Sequence, residues 1–422
     1  MAHNESSRRV FRIRSLGVFL LSAILTGIFF CSGAAARIAS SGEADAYTEP
    51  GIDALEEQNF ALLSGKRVGL ITNKTGVDSR GRRTIDVLAK ADGVKLVAIF
   101  SPEHGVAANA DVSVVANATD AATGLRIYSL YGVTRRPTDA MLKGIDVLVF
   151  DIQDAGVRFY TYVTTMGYCM EAAAKHGISF VVLDRPNPLG GEIIEGPMLD
   201  RDKLSFVGYF PMPVRYAMTL GELARMFNAE NKIGAELHVV EMKNWKRSDM
   251  YWMTGLRWIP PSPNLPAIEN LVPYPGIEIL QAGSVSVGRG TDSAFLELGA
   301  PWIRPNDLLA ELKKREIPGV SFSVTSFTPK SGPYAAQECH GVALTVTNRE
   351  NFKSMLMGLE VAEALHRLYS QEFQIAKIIA LLGSQSTVER LERGDSPKDI
   401  EAGWAAELEK FRAMRAKYLI YR

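Results

Sequence analysis

The chain has 422 residues, with 47 basic and 47 acidic side chains, 47% hydrophobic content and 9% aromatic content. A formal net charge of zero excludes the charge bias that recruits nucleic acid or anionic lipid, and the apolar content excludes a largely disordered chain. The length exceeds one typical domain, so two are expected.

The first segment has the layout of an export signal: Arg8, Arg9, Arg12 and Arg14 precede an uncharged run from Leu16 to Phe30, and Ser32-Gly33-Ala34-Ala35-Ala36 follow. The signal is assigned to residues 1–36. Its apolar run of 15 residues is short of the roughly 20 that cross a bilayer. The expectation is an exported protein, periplasmic or secreted, without stable membrane insertion; a lipidated Cys31 or an uncleaved anchor is the alternative. Cys169 and Cys339 then remain, too few for a disulfide framework, and both are expected as buried thiols.

Taken in order, Ile52, Leu55, Phe60 and Leu63 suggest a first helix, and residues 67–72 a strand. Residues 84–90 read as helix, 94–100 as strand, 139–142 as a short helix, 146–150 as strand, 160–176 as helix and 179–183 as strand. This alternation predicts an α/β fold: a Rossmann-like, mostly parallel sheet domain over residues 47–205. From residue 206 the texture turns Pro-rich and aromatic, as in Pro260-Pro261-Ser262-Pro263-Asn264, and residues 206–422 are assigned to an α+β auxiliary domain. Within it, helices are expected at 220–228, 352–368 and 401–418, with strands at 237–242 and 342–346.

Each of the four N-terminal strands runs into polar residues: Thr72-Asn73, Ser101-Pro102-Glu103-His104, Asp151-Ile152-Gln153-Asp154 and Asp184-Arg185-Pro186-Asn187. Parallel strands place these ends on one rim, where α/β sheets bind ligands. Carboxylates, an imidazole, amides and Arg158 or Arg185 on one edge suit acid–base chemistry on a polar substrate. Glu103 is the first candidate for a general acid, a carboxyl at the lip of an apolar strand and partly withdrawn from water. His104 either orients it or contacts the ligand. Asp154 with Arg158 reads equally as a structural ion pair.

Gly288-Arg289-Gly290-Thr291 is a glycine-flexed loop suited to holding a carboxylate or phosphate. It is neither a dinucleotide fingerprint nor a P-loop, so no cofactor is expected. The six histidines include no His-Glu-x-x-His pair, so no catalytic metal is expected. Trp245, Trp252, Trp258 and Trp302 with Tyr251 are candidates for stacking on sugar rings, although aromatics more often serve a core.

At these residues the chain resembles the bacterial exo-β-N-acetylmuramidase family of the NamZ type. The resemblance is carried by Gly69-Leu70-Ile71-Thr72-Asn73, Phe100-Ser101-Pro102-Glu103-His104-Gly105, Tyr128-Ser129-Leu130-Tyr131-Gly132, Phe150-Asp151-Ile152-Gln153-Asp154, Arg158-Phe159-Tyr160-Thr161-Tyr162, Leu183-Asp184-Arg185-Pro186-Asn187-Pro188, Pro261-Ser262-Pro263-Asn264 and Gly288-Arg289-Gly290-Thr291. It spans residues 51 to the C-terminus and implies a cleft between a Rossmann-like and an auxiliary domain, release of N-acetylmuramic acid from the non-reducing end of peptidoglycan fragments, and Glu103 as the catalytic glutamate. The lactyl carboxylate of muramic acid then gives a task to Arg289, Arg158 or Arg185.

The expected substrate-binding set is Asn73, Ser101, His104, Asp151, Gln153, Arg158, Tyr160, Arg185, Asn187 and Arg289, with muramyl-glucosamine disaccharides or peptidoglycan fragments as partners. The second catalytic group is Asp154 or Asp151 acting on water, or the substrate's own acetamido group. Three segments depart from the family pattern: Val106-Ala107 replaces a bulky residue and Arg, Tyr216-Ala217 replaces His-Gly, and Gln281-Ala282-Gly283-Ser284 replaces Glu-Gly-Thr-Asn. These departures leave room for a non-catalytic wall-fragment binder.

Overall fold

Seven strands carry the N-terminal half of the computed structural model, which describes residues 47–422. The export-signal expectation lies outside the described residues. The strands are β1 (Arg67–Thr72), β2 (Lys95–Ser101), β3 (Ala118–Thr119), β4 (Arg126–Ser129), β5 (Val147–Asp151), β6 (Ser179–Leu183) and, after a ribbon of β7 (Glu195–Met198) and β8 (Pro213–Arg215), β9 (Leu237–Val240). Their order is β3-β4-β2-β1-β5-β6-β9, parallel throughout except at β3–β4. The expected Rossmann-like, mostly parallel sheet is therefore present.

Alternation along each strand feeds two cores. On one face Val147, Val149, Val181 and Leu183 pack with Ile52 and Leu55 of α1 (Gly51–Glu57) and Ile85 and Leu88 of α2 (Thr84–Lys90). Beyond the short α3 (Asp139–Leu142), Leu148, Phe150, Phe180 and Val182 on the other face pack with Val163, Met166 and Met170 of α4 (Tyr162–His176) and Leu223 and Phe227 of α5 (Leu220–Glu230). Each such side chain taken fully from water contributes about 1.5–3 kcal/mol. This two-sided burial is why the strands read as continuous apolar runs.

The short helices α6 (Ile268–Leu271) and α7 (Tyr274–Ile277) lead into a 3-10 helix at Glu278–Gly283. An antiparallel sheet of order β10-β12-β11 follows, built from β10 (Glu297–Ala300), β11 (Val320–Phe327) and β12 (Cys339–Val346). It is accompanied by α8 (Pro305–Lys314) and α9 (Ser354–Leu368), and the chain closes with α10 (Ile379–Leu382), α11 (Gln385–Glu392), α12 (Pro397–Gly403) and α13 (Ala405–Arg415). The single helix expected at 401–418 is thus two, divided at Trp404, whose indole donates to Thr387 Oγ1 at 3.1 Å.

The sheet extends past the boundary placed at residue 205. A further crossover, β6–α5–β9, adds the seventh strand parallel to β6, and its signal is masked by the Pro-rich residues that precede α5. The apolar cluster on the α4 face also runs on through Leu298, Val342, Met355 and Leu359, so residues 47–422 pack as one unit. Cys169 and Cys339 are buried and unpaired. Among the described residues no helix is long and apolar enough to cross a membrane.

Candidate active site

The chain turns abruptly where β2 ends. Gly105 N donates to Pro102 O at 3.1 Å, and His104 and Gly105 both adopt left-handed backbone angles, φ 69° and 74°. A left-handed histidine is unfavourable unless its surroundings fix it. Here its Nδ1 lies 2.7 Å from Ala110 O, and Ala110 N reaches back to His104 O at 3.3 Å. The turn lifts Glu103 clear of the sheet, half-buried between the buried Pro102 and His104.

Two neighbours fix that carboxyl group. Thr161 Oγ1, immediately ahead of α4, donates to Glu103 Oε2 at 2.5 Å. The Tyr162 hydroxyl lies 3.3 Å from Glu103 O and 2.6 Å from Pro261 O, tying the β2 end to the Pro-rich segment. The phenol of Tyr131 feels the same carboxylate, and burial together with that charge pushes it up to about 12.

Glu103 opens on a cavity of about 240 Å³, which His104, Tyr160 and Thr161 line from the sheet rim and Ser262, Tyr274, Glu278, Gln281 and Arg289 line from the C-terminal half. Arg289 arrives on the glycine loop. Gly288 and Gly290 have φ 74° and 77°, and a Cβ on Gly290 would stand 2.6 Å from Ser331 N. Gly290 N is anchored on Asn264 Oδ1 at 2.9 Å, and Thr291 Oγ1 on Gly288 O at 2.7 Å. The guanidinium then lies 3.5 Å from Glu278, Nη1 to Oε1. That carboxylate holds Arg289 well above the ordinary arginine value, while burial raises Glu278.

Four buried polar atoms on this lining have no partner: Tyr160 OH, Glu278 Oε2, Gln281 Oε1 and Arg289 Nε. Buried polar groups are normally satisfied, so a lining with donors and acceptors to spare is one that a polar ligand completes.

Glu103, His104, Tyr160 and Arg289 therefore meet at one cleft, and the other expected site residues are turned to the fold. Arg158 is fully buried and spends its guanidinium on the carbonyls of Pro197, Met212, Leu381 and Leu382 at 2.7–3.2 Å. It therefore pairs with neither a substrate nor Asp154. Arg185 donates to Asp151 Oδ1 at 2.5 Å and to Val77 O at 2.6 Å, and Asp151 also accepts from Thr84 Oγ1. Asp154 accepts from Gly156 N at 2.8 Å and from the Tyr216 hydroxyl. Asn73 serves Tyr162 and Thr75, and Asn187 serves Met218 O and Leu189 N. Ser101 is buried, and Gln153 donates to Pro186 O at 2.9 Å. The rim was expected as one site, but side-chain direction divides it.

The tryptophans likewise go elsewhere: Trp245 packs edge-on against Tyr421 and Trp258 edge-on against Tyr251, Trp302 lies tilted against Tyr369, and Trp252 lies under the Arg349 guanidinium. The cleft residues that sequence reading missed are Thr161, Tyr274 and Glu278. Glu278 did carry a signal, a lone charge amid Ile277, Ile279 and Leu280, each 0% exposed. Among the described residues no cluster of His, Cys, Asp and Glu could hold a metal ion.

Sheet and cleft together define an α/β protein with a polar cleft beyond the carboxyl ends of its parallel strands, where such folds bind ligands. Residues 68–269 match the N-terminal domain, and residues 272–421 the C-terminal domain, described as exo-β-N-acetylmuramidase NamZ. The chain belongs to this family of glycosidases. It is 41% identical over 412 residues to the peptidoglycan β-N-acetylmuramidase NamZ of Bacillus subtilis, covering 97% of this chain and 100% of that protein. Two crystal structures of DUF1343 family proteins from Bacteroides fragilis are also similar, each over 89% of this chain and 99% of theirs. One is 40% identical with a TM-score of 0.82, the other 31% identical with a TM-score of 0.72. The two family domains meet near residue 270, beyond β9, as the sheet requires.

Proposed function

We propose that this protein is an exported exo-β-N-acetylmuramidase that releases N-acetylmuramic acid from the non-reducing end of peptidoglycan fragments, with Glu103 as the general acid. The observation that carries this reading is Glu103 itself, a carboxyl group on the cleft lining held by Thr161 at 2.5 Å. As the bond from C1 to the glycosidic oxygen breaks, Glu103 gives its proton to that oxygen, which leaves as a neutral hydroxyl. Glu103 is left as a carboxylate that Thr161 stabilises.

A cavity of about 240 Å³ has room for a terminal sugar. With Arg158 and Arg185 committed to the fold, Arg289 is the arginine left for the lactyl carboxylate, and its Nε has no partner. The test is to incubate the purified protein with a muramyl-glucosamine disaccharide and a chromogenic muramide. Release of free muramic acid is expected, and its absence refutes the enzymatic reading.

The departures at Val106-Ala107 and Tyr216-Ala217 support a second reading, a non-catalytic binder of wall fragments. Saturable binding of the disaccharide without turnover is its outcome in the same assay. Export rests on the layout of residues 1–36. Mass spectrometry of protein recovered outside the cytoplasm is expected to find those residues removed.

A further inference from the structure

We propose that Glu278 is the second carboxyl group of the reaction, taking a proton from the water that attacks C1 while Glu103 gives one to the departing oxygen. This rests on the hydrolase reading above and extends it by naming the partner of Glu103 and the stereochemical outcome.

The geometry comes from a short 3-10 helix. At three residues per turn, positions three apart share a face, so Glu278 and Gln281 of the 3-10 helix Glu278–Gly283 both look onto the cavity that Glu103 lines. Glu278 is only 5% exposed. Its Oε1 faces Arg289 at 3.5 Å, and its Oε2 is buried without any partner. Burying a carboxylate is costly unless both oxygens are used. A cleft-lining carboxylate with one oxygen facing a guanidinium and the other buried without a partner is one that the fold itself leaves incomplete.

The other acids considered for this role do not line the cavity. Asp151 is held by Arg185 and Thr84, and Asp154 takes Gly156 N and Tyr216 on Oδ2 and keeps Oδ1 buried without a partner, away from Glu103. Nearby Asp111 is engaged by Asn264 at 3.0 Å and Ser331 at 3.2 Å. Burial raises the proton affinity of Glu278 against the pull of Arg289, which suits a base.

The step balances. Water oxygen bonds to C1 on the face opposite the glycosidic oxygen, and one water proton passes to Glu278. The electron pair of the breaking C1–O bond stays with the departing oxygen, which receives the proton of Glu103. Proton exchange with solvent resets both carboxyl groups. The configuration at C1 inverts, from β in the substrate to α in the product.

Two measurements decide it. Proton NMR of the first product formed by the native enzyme from an aryl β-muramide is expected to show the α anomer; the β anomer overturns the proposal whatever any variant does. Glu278→Gln is expected to lower turnover about 10³-fold, within the range of a positioned base, on both aryl muramide and disaccharide while still binding muramic acid. Glu278→Ala with added azide is expected to yield α-muramyl azide. Turnover of Glu278→Gln within tenfold of native overturns the proposal. If the native enzyme is active, Glu103→Gln is inactive on the disaccharide and Glu278→Gln is near normal, only this inference falls. A native protein that releases no muramic acid removes both readings.

Discussion

Thr161 Oγ1 and Glu103 Oε2 stand 2.5 Å apart, one at the head of helix α4 and the other just past strand β2, so the carboxyl group is oriented by a residue 58 positions along the chain. A hydrogen bond to a charged group contributes about 1.5–3 kcal/mol. Thr161→Val is therefore expected to lower kcat by tenfold to a hundredfold with KM little changed, and Thr161→Ser to restore most of it. Steady-state kinetics on the disaccharide checks this; a loss confined to KM contradicts the positioning role.

A general acid matters most when the leaving group is poor. Glu103→Gln is expected to lose about 10²–10⁴-fold on the disaccharide and much less on a nitrophenyl muramide, whose phenolate leaves without a proton. Equal losses on the two substrates count against the proton-donor role.

Arg158 is a test of structure and not of catalysis. Its replacement by Met orphans the carbonyls of Pro197, Met212, Leu381 and Leu382, each of which costs roughly 1–3 kcal/mol when buried and unsatisfied. A destabilisation of about 3 kcal/mol or more is expected in urea unfolding. Activity per folded molecule should persist at low temperature, and a stable but inactive variant refutes this assignment.

Burial pushes Asp154 from 3.8 up to about 6, with Tyr216 and the Gly156 N–H pulling the other way. The folded state thus holds this proton more tightly than the unfolded chain. Stability from this group is full below about pH 4, declines as pH rises towards 6 and stays diminished above, by at most about 3 kcal/mol. Asp154→Asn keeps an acceptor for Gly156 and Tyr216 without the charge. It is expected to raise Tm relative to native at pH 7.5 and not at pH 4. A difference independent of pH contradicts the shift.

Much of the N-terminal half could be read directly from the sequence. β1, β6, α2 and α3 fall at the expected residues, because strands buried on both faces write uninterrupted apolar runs such as Val68-Gly69-Leu70-Ile71 and Ser179-Phe180-Val181-Val182-Leu183. β11 went unseen because its residues alternate between half-buried and exposed, giving no such run. β9 was seen but credited to the wrong layer, since pairing with β6 is a property of the assembled sheet.

The sequence by itself determined the parallel sheet, the rim on which its strand ends gather and the presence there of Glu103, because apolar periodicity and strand polarity are local properties. Tertiary structure alone decided which rim residues face the cleft. It turned Asp151, Asp154, Arg158 and Arg185 into the fold, where buried charges must find partners. It also brought Glu278 and Arg289, more than 170 positions from Glu103, to the opposite wall of the same cleft.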